Sequence, residues 1–343
     1  MPLAPEFLAK MPKVELHVHI EGSIRPETVL ALARKNGVAL PADSVEGLRH
    51  WYEFRDFPHF VEVYVAVTKC IKTADDLEFI GREFLQGQAD QNVLYTEATY
   101  TACTIEKYCG ISVRDQLEAM NRAISWGRSE LGVDMQLVLD IVRGDTPERA
   151  MEVVHWVAEW LGNGVCALGI AGFEKLGTKP YAEAFAEARR LGLPVTAHAG
   201  ETEGAWSVSE TLDVTGAHRI GHGVRAIEDP EVLRRLIDEG IVLEVCPTSN
   251  VCLGGFPSLA EHPIQRLIDA GVKVTLNSDD PPMFSTSITE EWIRCAETFG
   301  WEEATVRRLS ETAVEAAFLP EGRKAELLGS FAAAGARCIP GST

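Results

Sequence analysis

Met11-Pro12-Lys13-Val14-Glu15-Leu16-His17-Val18-His19-Ile20-Glu21-Gly22 reads as a β-strand over residues 14–20 that closes on two histidines. Its apolar positions are Val, Leu, Val and Ile, side chains that favour a pleated backbone. Residues two apart on a strand point to the same side, so His17 and His19 present two imidazoles to one space. Barrels of parallel strands carry their chemistry at the C-terminal strand ends, and the pair sits at such an end.

Runs of the same kind follow at 92–100, 134–143, 165–173, 193–199, 219–223, 241–246 and 272–277. Between them lie amphipathic segments at 28–36, 114–131, 147–161, 181–191, 230–239 and 263–270, which carry a helical period. Gly192, Gly240 and Gly271 precede three of the strands, where the left-handed position after a helix favours glycine. Strands nearly continuous in apolar residues suit a parallel sheet covered by helices. Eight of them with interleaved helices predict an α/β fold, a (β/α)8 TIM barrel with extra helices. A doubly wound sheet is the alternative, but no Gly-x-Gly-x-x-Gly follows the first strand. No repeat, low-complexity stretch or linker divides residues 1–343, which read as one domain with its barrel core at about 12–285 and outer helices at about 286–343. The segment 41–90 exceeds what a simple crossover needs and is rich in aromatics, including Phe54, Phe57 and Phe60.

Composition narrows the function classes. The chain has 343 residues and a net charge of −19, with no basic patch, so nucleic acid is not an expected partner. Eight cysteines without a Cys-x-x-Cys pair, several inside apolar runs, read as free buried thiols in a reducing compartment. The N-terminus lacks a basic region followed by an apolar stretch, and no run of 18 apolar residues occurs. The expected location is therefore cytoplasmic, with no membrane partner. Oligomeric state is not legible.

Polar residues gather where strands end. His198 closes the fifth strand in Thr196-Ala197-His198-Ala199-Gly200-Glu201, and His222 closes the sixth in Arg219-Ile220-Gly221-His222-Gly223. Asp279-Asp280 follows the eighth. Four of nine histidines fall at these ends, whereas His50, His59, His155, His218 and His262 do not and are read as ordinary surface or core residues. Three imidazoles with one carboxylate suit a single Zn²⁺ with a position left for water, which then loses a proton near neutral pH. Glu201, three residues past His198, is the candidate acid.

These segments together resemble the adenosine/adenine deaminase family. Residues 11–22 look like its opening motif, and 196–201, 219–223 and 276–281 look like its three later ones, in matching order over roughly 7–320. The resemblance implies a zinc barrel that hydrolyses the 6-amino group of a purine to the 6-oxopurine and ammonia. His17, His19, His198 and Asp279 then look like the zinc ligands. Glu201 resembles the acid that protonates ring N1, and His222 the residue that positions the attacking hydroxide. Asp280 resembles the partner of N7, and Gly172 the glycine whose backbone approaches N3. His19 and Glu21 fall where the family touches the substrate. Phe54, Phe57 and Phe60 are candidates for a lid over a neutral aromatic substrate.

The departures concern the sugar side. Nucleoside deaminases of the family usually have Asp where this chain has Glu21, contacting the ribose 5′-hydroxyl, and Asp where it has Phe173. Glu at the first position is common in adenine deaminases. However, the fourth strand end lacks their Ser-Glu-Val-Gly-His type segment, and Gly221 stands where they tend to have Asp. These two points lean towards a nucleoside: adenosine, or a 5′-modified adenosine such as 6-aminodeoxyfutalosine. The benzoate of that compound needs a cation, for which Lys175, Arg55 and Arg143 are candidates. Free adenine is the alternative. A binuclear amidohydrolase is a distant rival, because Lys175 is displaced from the bridging position and only one histidine ends the sixth strand. The cytidine-deaminase zinc signature is absent.

Overall fold

The computed structural model describes residues 3–337. Eight strands run β1 Lys13–His19, β2 Val93–Tyr100, β3 Asp134–Arg143, β4 Val165–Gly172, β5 Thr196–Ala199, β6 Arg219–His222, β7 Val242–Val245 and β8 Lys273–Leu276. Every pairing is parallel, in the orders β1-β2-β3-β4 and β5-β6-β7-β8. Two bridges join these halves. Leu168 of β4 pairs with Val195, just before β5, and Val18 of β1 pairs with Asp279, just past β8. The order of strands thus closes on itself with helices between them, the (β/α)8 barrel expected from the sequence.

Burial explains the apolar strands. All seven residues of β1 and all four of β7 are buried, as a sheet covered on both faces requires. Gly192, Gly240 and Gly271 take φ of 68°, 68° and 89°, the left-handed turn that ends each preceding helix. The helices match their expected spans to within a few residues, with one difference. The expected 114–131 helix becomes an α-helix over Val113–Trp126 that widens to a π-helical turn over Gly127–Leu131. Segment 41–90 holds three helices, Val45–Trp51, Phe57–Thr68 and Ala74–Asp90. The helix Phe57–Thr68 packs over the C-terminal mouth of the barrel and supplies its apolar cover.

The barrel interior also carries a buried ionic stack. Arg219 donates to Glu97 and Glu244 at 2.5 Å each, and Glu244 accepts from His17 Nδ1 at 2.9 Å. Removing one member of such a set leaves an uncompensated charge, a loss of about 3–5 kcal/mol. A second apolar cluster joins Val14, Leu16 and Tyr95 to Ala313, Val314 and Leu327 of the last two helices. Seven cysteines are unpaired, and Cys252 among them is exposed rather than buried; Cys338 lies outside the described residues. No helix among the described residues is long and apolar enough to cross a membrane.

Candidate metal centre and the cavity above it

The four expected ligands meet at the C-terminal mouth. His19 Nε2 lies 3.2 Å from His198 Nε2 and 3.3 Å from Asp279 Oδ1. His17 Nε2 lies 3.5 Å from the same Asp279 oxygen. His222 joins them, its Nε2 3.8 Å from Asp279 Oδ2 and 3.7 Å from Glu201 Oε1. His222 and Asp279 hold φ of 60° and 65°, which for non-glycine residues costs of order 1–3 kcal/mol each. At Asp279 the surrounding ladder fixes this backbone. Its N–H donates to His17 O at 3.1 Å and its carbonyl accepts from His19 N at 2.9 Å.

Neighbours decide which ring atoms face inward. His17 Nδ1 is bound to the Glu244 carboxylate at 2.9 Å, and His198 Nδ1 to the Ile170 carbonyl at 3.1 Å. Both partners accept, so both Nδ1 atoms carry hydrogen and both Nε2 atoms are free to ligate. His17 Nε2 is buried and lacks any hydrogen-bond partner. Burial opposes charge on this ring, but the Asp279 and Glu244 carboxylates outweigh it and raise its pKa to about 10. Burial likewise opposes charge on His19, and Asp280 and Asp279 raise it to about 9. A site that draws protons onto two buried imidazoles has the potential to hold a cation in their place. An orphaned imidazole nitrogen, inward-facing lone pairs and a carboxylate fit a divalent metal such as zinc. Mutual proximity groups His17, His198, His222 and Asp279 in one set and His19, Asp279 and Asp280 in another, so proximity alone leaves the third imidazole open.

A cavity of about 120 Å³ opens over these residues. Its apolar wall is Phe57, Phe60, Val61, Tyr64 and Val65, one face of the helix Phe57–Thr68. Glu201 faces it with a carboxyl raised well above its usual pKa by burial and by the nearby Asp279 and Glu174 carboxylates. Asp280 is raised well above as well, by burial and by Asp279, and its Oδ1 has no partner. Both shifts favour the protonated form, which can donate a hydrogen bond. Gly172 lines the same wall at φ 92°, where a Cβ would stand 3.4 Å from the Arg143 backbone.

Not every expected residue faces the cavity. Glu21 is fully buried, absent from the cavity wall, and accepts from Thr101 N at 2.9 Å and Tyr64 OH at 3.1 Å. Phe57 and Phe60 line the wall, but Phe54 stands behind them, its ring 5.3 Å from Phe60 and 5.7 Å from Phe284. Lys175 lies over the Phe173 ring, Arg143 donates to the His198 carbonyl, and Arg55 takes no part in the wall. Among the described residues no Lys or Arg lines the cavity.

Other residues of the site escaped sequence reasoning. Glu174 accepts from four successive backbone N–H groups, those of Gly200, Glu201, Thr202 and Glu203, and so fixes the loop that carries Glu201. Asp140, on β3, lines the cavity with a partnerless Oδ2, and burial pushes its carboxyl up to about 7. Asn250 contacts His222 Nδ1 at 3.2 Å. Glu244 had a visible signal, a single charge inside an apolar strand.

Residues 12–334 match the family model described as adenosine deaminase. An adenine deaminase of Rhizobium leguminosarum bv. trifolii (strain WSM2304) is 39% identical over 317 residues, 92% of this chain and 97% of that protein. The crystal structure of adenine deaminase from Arthrobacter aurescens superposes with a TM-score of 0.89 at 30% identity, covering 94% of this chain and 98% of that one. An amidohydrolase from Burkholderia ambifaria, solved with bound zinc, gives 0.88 at 25% identity over 98% and 96%.

Proposed function

The chain belongs to the adenosine deaminase family of hydrolytic purine deaminases, and we propose that its substrate is adenine as the free base. Position 21 carries this choice. The family resemblance puts the partner of a ribose 5′-hydroxyl there, yet the Glu21 carboxylate already accepts from Thr101 N–H and Tyr64 OH and offers no surface to the cavity. Tyr64 stands on the wall in its place. The absence of Lys and Arg from the described wall argues against phosphate or benzoate substituents, which need a cation when buried. The names of the curated relatives support the same reading.

In this proposal His17, His19, His198 and Asp279 would hold one zinc. The metal, when bound, supplies a water that is deprotonated near neutral pH. Glu201, whose burial favours the protonated acid, donates to ring N1 and makes C6 electrophilic. His222 orients the attacking oxygen through Nε2, on the same side as Glu201. Asp280, favoured in its protonated form by burial and by Asp279, donates to N7, the Gly172 backbone approaches N3, and the Phe57, Phe60 and Tyr64 rings exclude water. The amino group takes the proton of the oxygen added at C6 and leaves as ammonia, so that the C6–N bond breaks as the 6-oxo group forms.

The nucleoside reading keeps two sequence features in its favour, the fourth strand end at Gly172-Phe173-Glu174 and Gly221 before His222. A steady-state panel of adenine, adenosine, 2′-deoxyadenosine, 5′-modified adenosines and 6-aminodeoxyfutalosine separates the readings. Free base is supported if kcat/KM for adenine exceeds that for any nucleoside by roughly 10²-fold or more. A preference for a nucleoside overturns it, and no turnover of any 6-aminopurine overturns the deaminase assignment to this site.

A further inference from the structure

His222 differs from His17 and His198 in what lies behind it. His17 and His198 are each backed by an acceptor, whereas His222 Nδ1 lies 3.2 Å from the side-chain amide nitrogen of Asn250. The other end of that amide, Asn250 Oδ1, lies 3.1 Å from His262 Nε2. His262 Nδ1 in turn lies 3.2 Å from the main-chain nitrogen of Ile264. The three side chains are all buried, at 1% exposure for His222, 2% for Asn250 and 3% for His262, so water does not compete for these bonds.

The direction of the series is set at its far end. A main-chain N–H can only donate, so His262 Nδ1 must accept and the ring hydrogen sits on Nε2. That hydrogen is donated to Asn250 Oδ1, which turns the amide NH₂ towards His222. An amide nitrogen also only donates, so His222 Nδ1 must accept and its hydrogen sits on Nε2. Nε2 is the atom that faces Glu201 and Asp279.

We infer that Asn250 and His262 are positioning residues that pass the polarity of the Ile264 N–H to His222, fixing it as an N–H donor into the cavity rather than a metal ligand. The inference removes His222 from the candidate ligands that proximity left open, because a ring whose Nδ1 accepts turns an N–H rather than a lone pair inward. It rests on the deaminase reading for what His222 does, but the tautomer itself is independent of substrate.

The test is direct observation of the ring nitrogens. In zinc-loaded protein with ¹⁵N-labelled histidine, long-range ¹H–¹⁵N correlation should show His222 with hydrogen on Nε2 and none on Nδ1, the signal assigned by its loss in His222→Gln. Hydrogen on Nδ1 of His222 in the wild-type protein overturns the inference without any substrate being involved. Asn250→Asp replaces the donor by an acceptor and should reverse the His222 pattern. It should also lower kcat roughly 10²-fold while KM changes less than about threefold. Unchanged kcat in a folded Asn250→Asp protein also overturns it. A second pair applies should that variant fail to fold. His262→Gln keeps an N–H donor for Asn250 and should retain activity within about tenfold, whereas His262→Phe, similar in size, should lose about 10²-fold. Equal activity in the two refutes the relay. Failure of the whole substrate panel with the expected tautomer present would instead count against the function.

Discussion

A Cβ on Gly22 would stand 1.5 Å from Asp280 Oδ1. The glycine that ends the opening motif is therefore the room in which a carboxyl group from the far side of the barrel closure sits. Gly22→Ala forces Asp280 off its position without touching an expected ligand. We expect zinc content near one per chain and kcat/KM for the preferred purine reduced roughly 10²-fold, as lost orientation of one bonded edge would produce. Kinetics alongside metal analysis checks this. Wild-type kcat/KM would remove Asp280 from substrate binding.

Much of this site was legible because strand ends have a sequence signature. An apolar run that stops at His, His or Asp-Asp names both the strand and its mouth, and His17, His19, His198, His222, Asp279 and Asp280 do converge. What was not legible is what stands behind them. Glu174 lies on a short turn and matters only by meeting the backbone of 200–203, and Asn250, on the short helix Pro247–Cys252, meets His262, just past the turn Leu259–Glu261, through one contact. Such pairings depend on three-dimensional register that no single segment encodes. Glu21 illustrates the reverse case, in which residue type suggests a substrate contact and packing against Tyr64 and Thr101 occupies it.

Glu174 should act through Glu201. Its carboxylate accepts from Thr202 N at 2.8 Å, Glu203 N at 2.9 Å and Glu201 N at 3.2 Å. Glu174→Gln keeps the size but turns an amide NH₂ towards some of these donors. Hydrogen bonds to a charged group are worth about 1.5–3 kcal/mol, so thermal stability should fall measurably. Turnover should fall roughly 10²-fold with little change in KM, since Glu201 loses its place rather than the cavity its walls. A variant that loses stability but keeps full kcat would limit Glu174 to a structural role.

Glu201→Gln should abolish turnover while zinc content stays near one per chain. The amide preserves the shape of the side chain but has no acidic proton for N1. Turnover like the wild type would remove Glu201 as the acid.

Glu291 gives a pH prediction away from the metal. Burial raises its carboxyl from 4.5 to about 7, against the opposing bonds from Thr248 and Thr286. The folded chain therefore binds a proton at pH values where the unfolded chain has released it. This contribution is fully present below about 4.5 and is lost as pH rises to about 7. Glu291→Gln removes the titration, so the variant should gain on the wild type by of order 2 kcal/mol between pH 5 and pH 8. Urea unfolding of both proteins at the two pH values reads the difference and cancels other titrating groups. Parallel changes would show that Glu291 ionises normally in the fold.

Glu244 links the barrel interior to the site, and its effects on stability and on metal binding can be separated. One oxygen accepts from Arg219 at 2.5 Å and the other from His17 Nδ1 at 2.9 Å. Burial opposes its charge, but Arg219 and His17 bring its pKa down to about 2, so it is an acceptor at any working pH. Glu244→Gln weakens both bonds, and loss of a carboxylate behind a metal-ligating histidine typically costs 10–100-fold in metal affinity. Glu97 provides the control, since it pairs with the same arginine at 2.5 Å but has no contact with His17. Glu97→Gln should lower the unfolding midpoint as Glu244→Gln does, yet leave zinc affinity near wild type. Competition with a fluorescent chelator measures the affinities. If Glu97→Gln weakened zinc as much as Glu244→Gln, the effect would come from general loosening of the barrel, and the orientation of His17 by Glu244 would have to be abandoned.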